Sequence, residues 1–401
     1  MATPTPFKLT TALPPADLRF ESMTHSSELS ALEETQFHLL SEKSDLSPDK
    51  MLGQTVDLAV QLRDGKKRHF CGYVTRFGIG TNQGRWYGYQ ATVRPWLWFL
   101  TRTADCRIFQ EQTVREIVEA VFKDHPIASY EFKLVRSYRK RTYCVQYRES
   151  DFNFVARLLE DEGIYWYFDH REGEHKLMLV DAPDAHKPID GEAKLPYYDN
   201  TGQVPPDTET VSDWRFMRAV KSGKTVLSSY DFERPSTKLK VEQVLQRDYK
   251  LSDYEVFDWQ GDYTQKDDGQ QQVEDRLDEW QCRLDQHSGK SNAHALATGH
   301  TFDLARHPRA DQNAQYLCTR LEVNARDQGS ETGGSAGELQ CSFGAIRSNS
   351  HFRPPRRTRK PFMQGPQTAV VVGPSGEELF TDKYGRVKVQ FHWDRYGEKN
   401  E

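Results

Sequence analysis

At 401 residues the chain is long enough for two to four domains with real cores. Its 59 acidic residues against 54 basic ones leave no charge excess for bulk attraction to nucleic acid or an anionic membrane surface. No apolar run approaches the ~18–20 residues of a membrane-spanning helix, and residues 1–8 have neither the basic nor the apolar region of a cleaved signal peptide.

The first hundred residues read as β. Val56, Leu58, Val60 and Leu62 alternate with polar neighbours, and Asp64-Gly65 leads into Phe70–Val74, a hairpin signal. Arg85–Val93 is a further aromatic-rich strand, followed by the knot Trp96–Leu100. Consecutive aromatics without interleaved polar anchors point to core packing at a barrel end rather than to a stacking platform for sugars or bases.

From Cys106 the period changes. Thr113 and Glu116 form a capping box, and Val114, Ile117, Val118, Val121 and Phe122 then share one helical face. A second helix starts near Ser150 or Asp151, buries Phe152, Val155, Leu158 and Leu159, and closes at Gly163. A hairpin follows, with Ile164–Phe168 and Leu177–Val180 on either side of Gly173. Asp181–Ser212 reads as a long surface loop. Strands resume near Val226 and at Leu239–Val244. A third helix is expected over 270–286, with Val273, Leu277, Trp280 and Leu284 inward, Asp275, Asp278, Glu279 and neighbours solvated, and Gly289 as its stop.

The middle of the chain repeats its beginning. Gly53-Gln54-Thr55-Val56-Asp57-Leu58-Ala59 returns as Gly299-His300-Thr301-Phe302-Asp303-Leu304-Ala305, each followed by a loop and a strand containing Thr-Arg, at Thr75-Arg76 and Thr319-Arg320. The period is too long for a solenoid, so it predicts two related β-barrels.

Sites of chemistry are weaker. His294, His300 and His307 fit no compact metal spacing and read as structural. Glu160, Asp161 and Glu162 point in different directions from one helix end, so they read as a solvated terminus rather than as paired carboxylates of a glycosidase. No GxSxG, P-loop, GxGxxG or Cys–His arrangement with recognisable context occurs. No catalytic, cofactor-binding or metal-binding residue is therefore assigned. The six cysteines, at 71, 106, 144, 282, 318 and 341, include no CxxC pair and read as reduced thiols. The run Arg353–Pro361 is the strongest candidate for nucleic-acid contact, but its prolines make it a stiff connector.

The C-terminal stretch is more informative. Val387, Val389, Phe391 and Trp393 alternate with polar residues, and Thr368–Val372 is a shorter run followed by the turn residues 373–376. Together they read as the first strands of a five-stranded OB barrel. The sequence stops after two or three of them, so it is expected to be cut within that domain.

With these pieces in view, the sequence resembles the VgrG family, the spike proteins of bacterial type VI secretion systems. The resemblance is carried by Asp105–Gln110 leading into Thr113–Phe122, by Val145–Phe152 through Glu162–Tyr165, by Pro361–Pro366 and by Phe380–Asp394. It implies a mainly β chain with α/β insertions: two related β-barrels of phage-hub type and the start of a C-terminal OB-fold barrel. The expected division is a first barrel over 1–105, an α/β insertion over 106–185, a second barrel over 186–350 and a basic linker with the incomplete OB domain over 351–401. It further implies a homotrimer seated on an Hcp-type tube hexamer, with baseplate proteins, a tip protein and effectors as partners. The protein would be non-enzymatic and cytoplasmic before firing, then secreted or injected, meeting a membrane only by puncture. Phe380, Asp382, Tyr384, Gly385, Arg386, Val387, Phe391 and Trp393 are the family-signature positions expected to serve assembly. The alternatives are a tail hub of a contractile phage and, from another class, an OB-type nucleic-acid or glycan binder. A cell-wall hydrolase finds no supporting residue set.

Overall fold

A computed structural model of the chain describes residues 6–199, 208–259, 261–327, 337–374, 376 and 380–397. It comprises two units. One contains Met1–Trp96, Ser129–Arg136 and Gly163–Pro355, and the other Leu97–Ala128, Ser137–Glu162 and Arg356–Glu401.

The larger unit is organised by a 13-stranded sheet. Its first half contains β1 (Arg19–Glu28), β2 (Glu34–Ser41), β3 (Thr55–Gln61), β4 (Lys67–Gln83) and β5 (Trp86–Arg94), and its second β6 (Val211–Arg218), β7 (Asp285–Ser291), β8 (His300–Ala305), β9 (Gln315–Arg326) and β10 (Glu338–Arg347). Hydrogen-bonded neighbours run β3-β4-β5-β2-β1 in one half and β8-β9-β10-β7-β6 in the other, which is the same order twice. The repeated heptapeptide explains the match. Gly53 and Gly299 both adopt left-handed φ, +74° and +77°, where a side chain is strained. Their N–H groups donate to Val74 O and Cys318 O, each at 2.9 Å. Beyond them Thr55 pairs with Tyr73 and Thr301 with Leu317. On the other edges of β4 and β9, the β4–β5 and β9–β10 ladders each slip by one residue, between Val74 and Arg76 and between Cys318 and Arg320, a β-bulge at the same place in both copies.

The mainly β class with inserted helices holds. Among the described residues neither copy closes its ladder on itself. β1 of the first pairs antiparallel with β9 of the second from Ser22↔Arg326 to Glu28↔Arg320, so the two halves form one continuous sheet. They also share one core, with Phe37, Leu58, Phe70 and Tyr89 from the first copy and Phe302, Tyr316 and Phe343 from the second.

Other elements depart from the sequence reading in instructive ways. The third helix spans Lys266–Gln281 rather than 270–286. Its acidic first turn, Asp267 and Asp268, suits a helix N-terminus. Pairing with β6 and β10 draws 285–291 into the sheet, so Gly289 lies in a strand. Val273 and Leu277 are buried as expected, whereas Trp280 is 37% exposed. Asp181–Ser212 is not simply a surface loop. Lys187–Pro188 and Lys194–Pro196 pair in parallel with β8, and Ile189 and Leu195 are buried; residues 200–207 of that stretch lie outside the described ones. The aromatic hairpin forms as Tyr165–Arg171 against Glu174–Val180, with Tyr130–Lys133 added in parallel.

In the smaller unit, the helix Val114–Lys123 carries the expected capping box and buries all five expected residues. The helix Asp151–Asp161 buries Phe154, Val155, Leu158 and Leu159. Phe152 is only half-buried, because it sits roughly 200° around the helix from Phe154. Strand Ala104–Phe109 pairs with Cys144–Ser150, and Phe109 stacks on Phe154 at 5.5 Å.

The two equivalent glycines differ in surroundings. A Cβ on Gly53 meets nothing within 4 Å, whereas one on Gly299 would lie 2.3 Å from the Tyr167 ring. Gly53→Ala is therefore expected to cost only the left-handed strain, about 1–2 kcal/mol. Gly299→Ala adds overpacking and should cost about 3 kcal/mol or more. Urea denaturation midpoints of the two variants check the difference.

Candidate functional site

Three stretches that are far apart in sequence and carry the family resemblance come together in the smaller unit. Asp105 and Arg107 lie on one strand, and Gln146, Tyr147 and Asp151 lie on or just after its partner. The Arg107 guanidinium donates to Asp151 Oδ1 at 3.0 Å, to Gln146 Oε1 at 3.0 Å and to Asp124 Oδ2 at 2.5 Å. Burial pushes the Asp151 carboxyl up, but hydrogen bonds from Gln146 and Thr103 and the Arg107 charge hold it below its ordinary value. The third stretch is C-terminal. The Trp393 indole N–H donates to Gln367 Oε1 at 3.0 Å, Gln367 Nε2 donates to Tyr147 Oη at 2.9 Å, and the Tyr147 and Trp393 rings meet edge-on at 5.3 Å. Arg395 and Tyr396 both donate to Asp105 Oδ2, at 2.9 and 2.7 Å.

The residues expected to form a signature sit in different local settings. Asp382 Oδ1 accepts from the N–H groups of Tyr384 and Arg386, each at 2.9 Å, while Oδ2 accepts from Arg386 Nε at 2.5 Å. Gly385 supplies the left-handed φ of +74° the turn requires. These bonds hold the Asp382 carboxyl below its ordinary value. Tyr384 receives the Arg386 guanidinium on its ring at 5.2 Å. Phe391 stacks on Trp393 at 5.1 Å. Phe380, Tyr384 and Val387 remain exposed. The expected strand is present as Lys388–Phe391 paired with Ala369–Val372. Its alternation does not bury a face, and Val387 and Val389 stay exposed, because among the described residues no second layer covers this two-stranded ribbon. Ser375, in the expected turn, lies outside the described residues.

The charged clusters read as solvated are structural clamps instead. Arg141 holds Glu162 at 2.5 Å and Asp161 at 2.7 Å, and Glu160 accepts from the backbone N–H groups of Arg357 and Thr358 at 3.0 and 2.9 Å. In the larger unit, Asp275 on the third helix pairs with Arg353 at 2.7 Å and with Arg136 at 2.9 Å. Asp181 accepts from the N–H groups of Val135 and Arg136, and its carbonyl accepts from Arg353 at 2.6 Å. Arg353 is thus buried and engaged, not the head of a solvated basic funnel. Among the described residues no group of three His, Cys, Asp or Glu could hold a metal ion. His294 sits against Gln61 O, His300 against Thr298 O and His307 against the Tyr197 ring.

Sequence reasoning missed a Cys–His–Glu line, because its members lie at positions 71, 170 and 33. Cys71 Sγ is 3.6 Å from His170 Nδ1, and His170 Nε2 is 2.7 Å from Glu33 Oε2. Its members resemble a nucleophilic triad, but the thiol is buried and also bonded to Glu174 O at 2.8 Å. The adjoining cavity of about 70 Å³ is well below the size of a substrate pocket. Burial lowers the His170 pKa, but the Glu33 carboxylate outweighs it and raises the value to about 10. Burial and the His170 charge push neighbouring His175 down to about 3. His175 Nε2 accepts the Trp96 N–H at 2.8 Å, as a neutral imidazole does. The arrangement is a polar core.

Residues 26–329 match the phage tail baseplate hub (GPD) family, and the chain belongs to that family. It is 42% identical over 386 residues to the type VI secretion system spike protein VgrG1b of Pseudomonas aeruginosa, covering 96% of this chain and 52% of that protein. It is 32% identical over 370 residues to the actin cross-linking toxin VgrG1 of Vibrio cholerae, covering 91% of this chain and 33% of the toxin. The chain therefore spans about half the length of the Pseudomonas relative and a third of the toxin. In fold it matches the E. coli c3393 protein, a type VI secretion component with structural similarity to the T4 bacteriophage tail proteins gp27 and gp5. The TM-score is 0.69 at 20% identity, over 96% of this chain and 88% of that one.

Removing Asp275 would leave the half-buried Arg136 and the buried Arg353 guanidiniums short of their shared counter-charge. Asp275→Ala is expected to cost about 3–5 kcal/mol, read from chemical denaturation. Acid should also destabilise the fold. Burial lowers His175 to about 3 and His186 and His287 each to about 4, while their unfolded values lie near 6.5. Between pH 6.5 and 4 the unfolded chain binds more protons, so stability falls as pH drops, by up to about 1.4 kcal/mol per pH unit for each histidine. His170 acts oppositely, with its contribution complete below pH 6.5 and lost as pH rises toward 10. Urea midpoints should therefore fall from pH 6.5 down to 4.5, below the range in which His170 still changes stability.

Proposed function

We propose that the chain forms the base of a homotrimeric, membrane-puncturing spike that sits on a hexameric Hcp-type tube of a type VI secretion machine. The observation that carries this reading is the duplicated strand order, register and bulge of the larger unit. Two like units per chain make six in a trimer, and six match a hexameric tube. The 42% identity to a type VI spike protein supports this system over a phage tail.

The work is mechanical rather than catalytic. Baseplate proteins would hold the spike before firing, in the cytoplasm, and ejection of the tube would carry it out of the cell or into a target. Phe380, Asp382, Tyr384, Gly385, Arg386, Val387, Phe391 and Trp393 would brace the ribbon that passes load to the tip. A tip protein and effectors are proposed as its cargo, in keeping with the toxin relative of Vibrio cholerae.

Multi-angle light scattering should return three times the 46.5 kDa chain mass, and the trimer should co-sediment with Hcp-type hexamers. A monomer or dimer at all concentrations would sink the reading.

A further inference from the structure

Strand edges in the larger unit are used unequally by the two copies. β9 gives its first half to β8 and its second half, 320–326, to β1 on the same edge. Its counterpart β4 gives its first half to β3, but among the described residues no strand pairs with 76–82 on that edge. β6, the counterpart of β1, pairs with β7 on one side. On its other side the described residues supply only the bridge between Val211 and Tyr197. One joint is made within the chain, and both halves of its equivalent are left open.

Register makes the correspondence residue by residue. In the first copy one rung runs His25, Thr35, Val93, Val74. In the second it runs Phe216, His287, Ala345, Cys318. Phe216 thus stands where His25 stands. Ile79, five residues after Val74, stands where Val323 stands, five after Cys318. Within the chain His25 is directly opposite Val323.

We propose that β6 of one copy of this chain pairs antiparallel with residues 76–82 of β4 in the next copy, with Phe216 opposite Ile79 and Met217 opposite Gly78. Three such joints between chains alternate with the three β1–β9 joints within them and close a ring of six. The proposal rests on the homotrimer reading and adds its interface. A long unpaired edge is a template for another chain, and repeated head-to-tail contacts close when the rotation allows.

The exposure of matched residues supports the occupant. Val323 is fully buried while Ile79 is 54% exposed, and Leu29 is 3% exposed while its counterpart Val220 is 65% exposed. The Leu29 N–H donates to Thr319 O at 2.9 Å, and the matching bond would run from Val220 to Thr75 of the neighbour. Gly78, whose Cβ would meet nothing within 4 Å, falls opposite Met217, which is 71% exposed. A glycine on an open strand leaves room for a close backbone and a large facing side chain.

The test uses Met217→Cys/Gly78→Cys and a register control, Met217→Cys/Asn82→Cys, about 10 Å or more out of step, each treated with a short bis-maleimide. Five of the six native cysteines are buried, so background should be low. The expected result is covalent dimers and trimers from the first pair at ten times the yield of the control. Ile79→Lys, exposed in a single chain, should keep its circular dichroism and become monomeric. A trimer that fails to cross-link at the first pair, or links equally through the control, overturns this joint while leaving the trimer intact. So does a trimeric Ile79→Lys. A wild-type monomer without cross-links overturns both.

Discussion

The larger unit depends on the antiparallel ladder between β1 and β9. Seven residues of each strand pair from Ser22↔Arg326 to Glu28↔Arg320, with His25 and Met23 buried on the same face as Val323 and Ala325. Without that ladder the two copies would be two open sheets with half-covered apolar faces. With it they share one core, and a small cavity beside it has Ser27 bonded to Thr298 and His170 bonded to Glu33 in its lining.

The polar interior is held by charge as much as by packing. Asp275 lies between Arg136 and Arg353, and Glu33 holds His170 protonated beside His175, which is kept neutral. Such buried pairs add little net stability over apolar residues, but losing one partner is costly because the other charge is stranded. They therefore fix geometry: the Asp275 carboxylate ties the third helix to the chain at Arg136 and Arg353. The same logic recurs in the smaller unit, where Arg107 gathers Asp151, Gln146 and Asp124. Segments distant in sequence meet there because each supplies one part of a hydrogen-bond network.

Local chemistry made much of this legible from residues alone. The capping box at Thr113, the face of the helix after it, the Tyr165–Phe168 hairpin and the heptapeptide repeat all depend on neighbours within a few positions, and the last of these exposed the duplication. Resemblance in a handful of segments then indicated a hub-type spike. What failed locally failed for tertiary reasons. Asp275 looks solvated and Arg353 looks like the start of a stiff connector until they meet each other and partners at 136 and 181, Gly289 looks like a helix stop until two strands claim it, and Cys71, His170 and Glu33 have no sequence relation. The sequence by itself determined the repeat and the elements within it, because period and turn chemistry are short-range. Only the tertiary structure decided that the copies share a sheet and which edges they leave open, because strand pairing is set by partners hundreds of residues away.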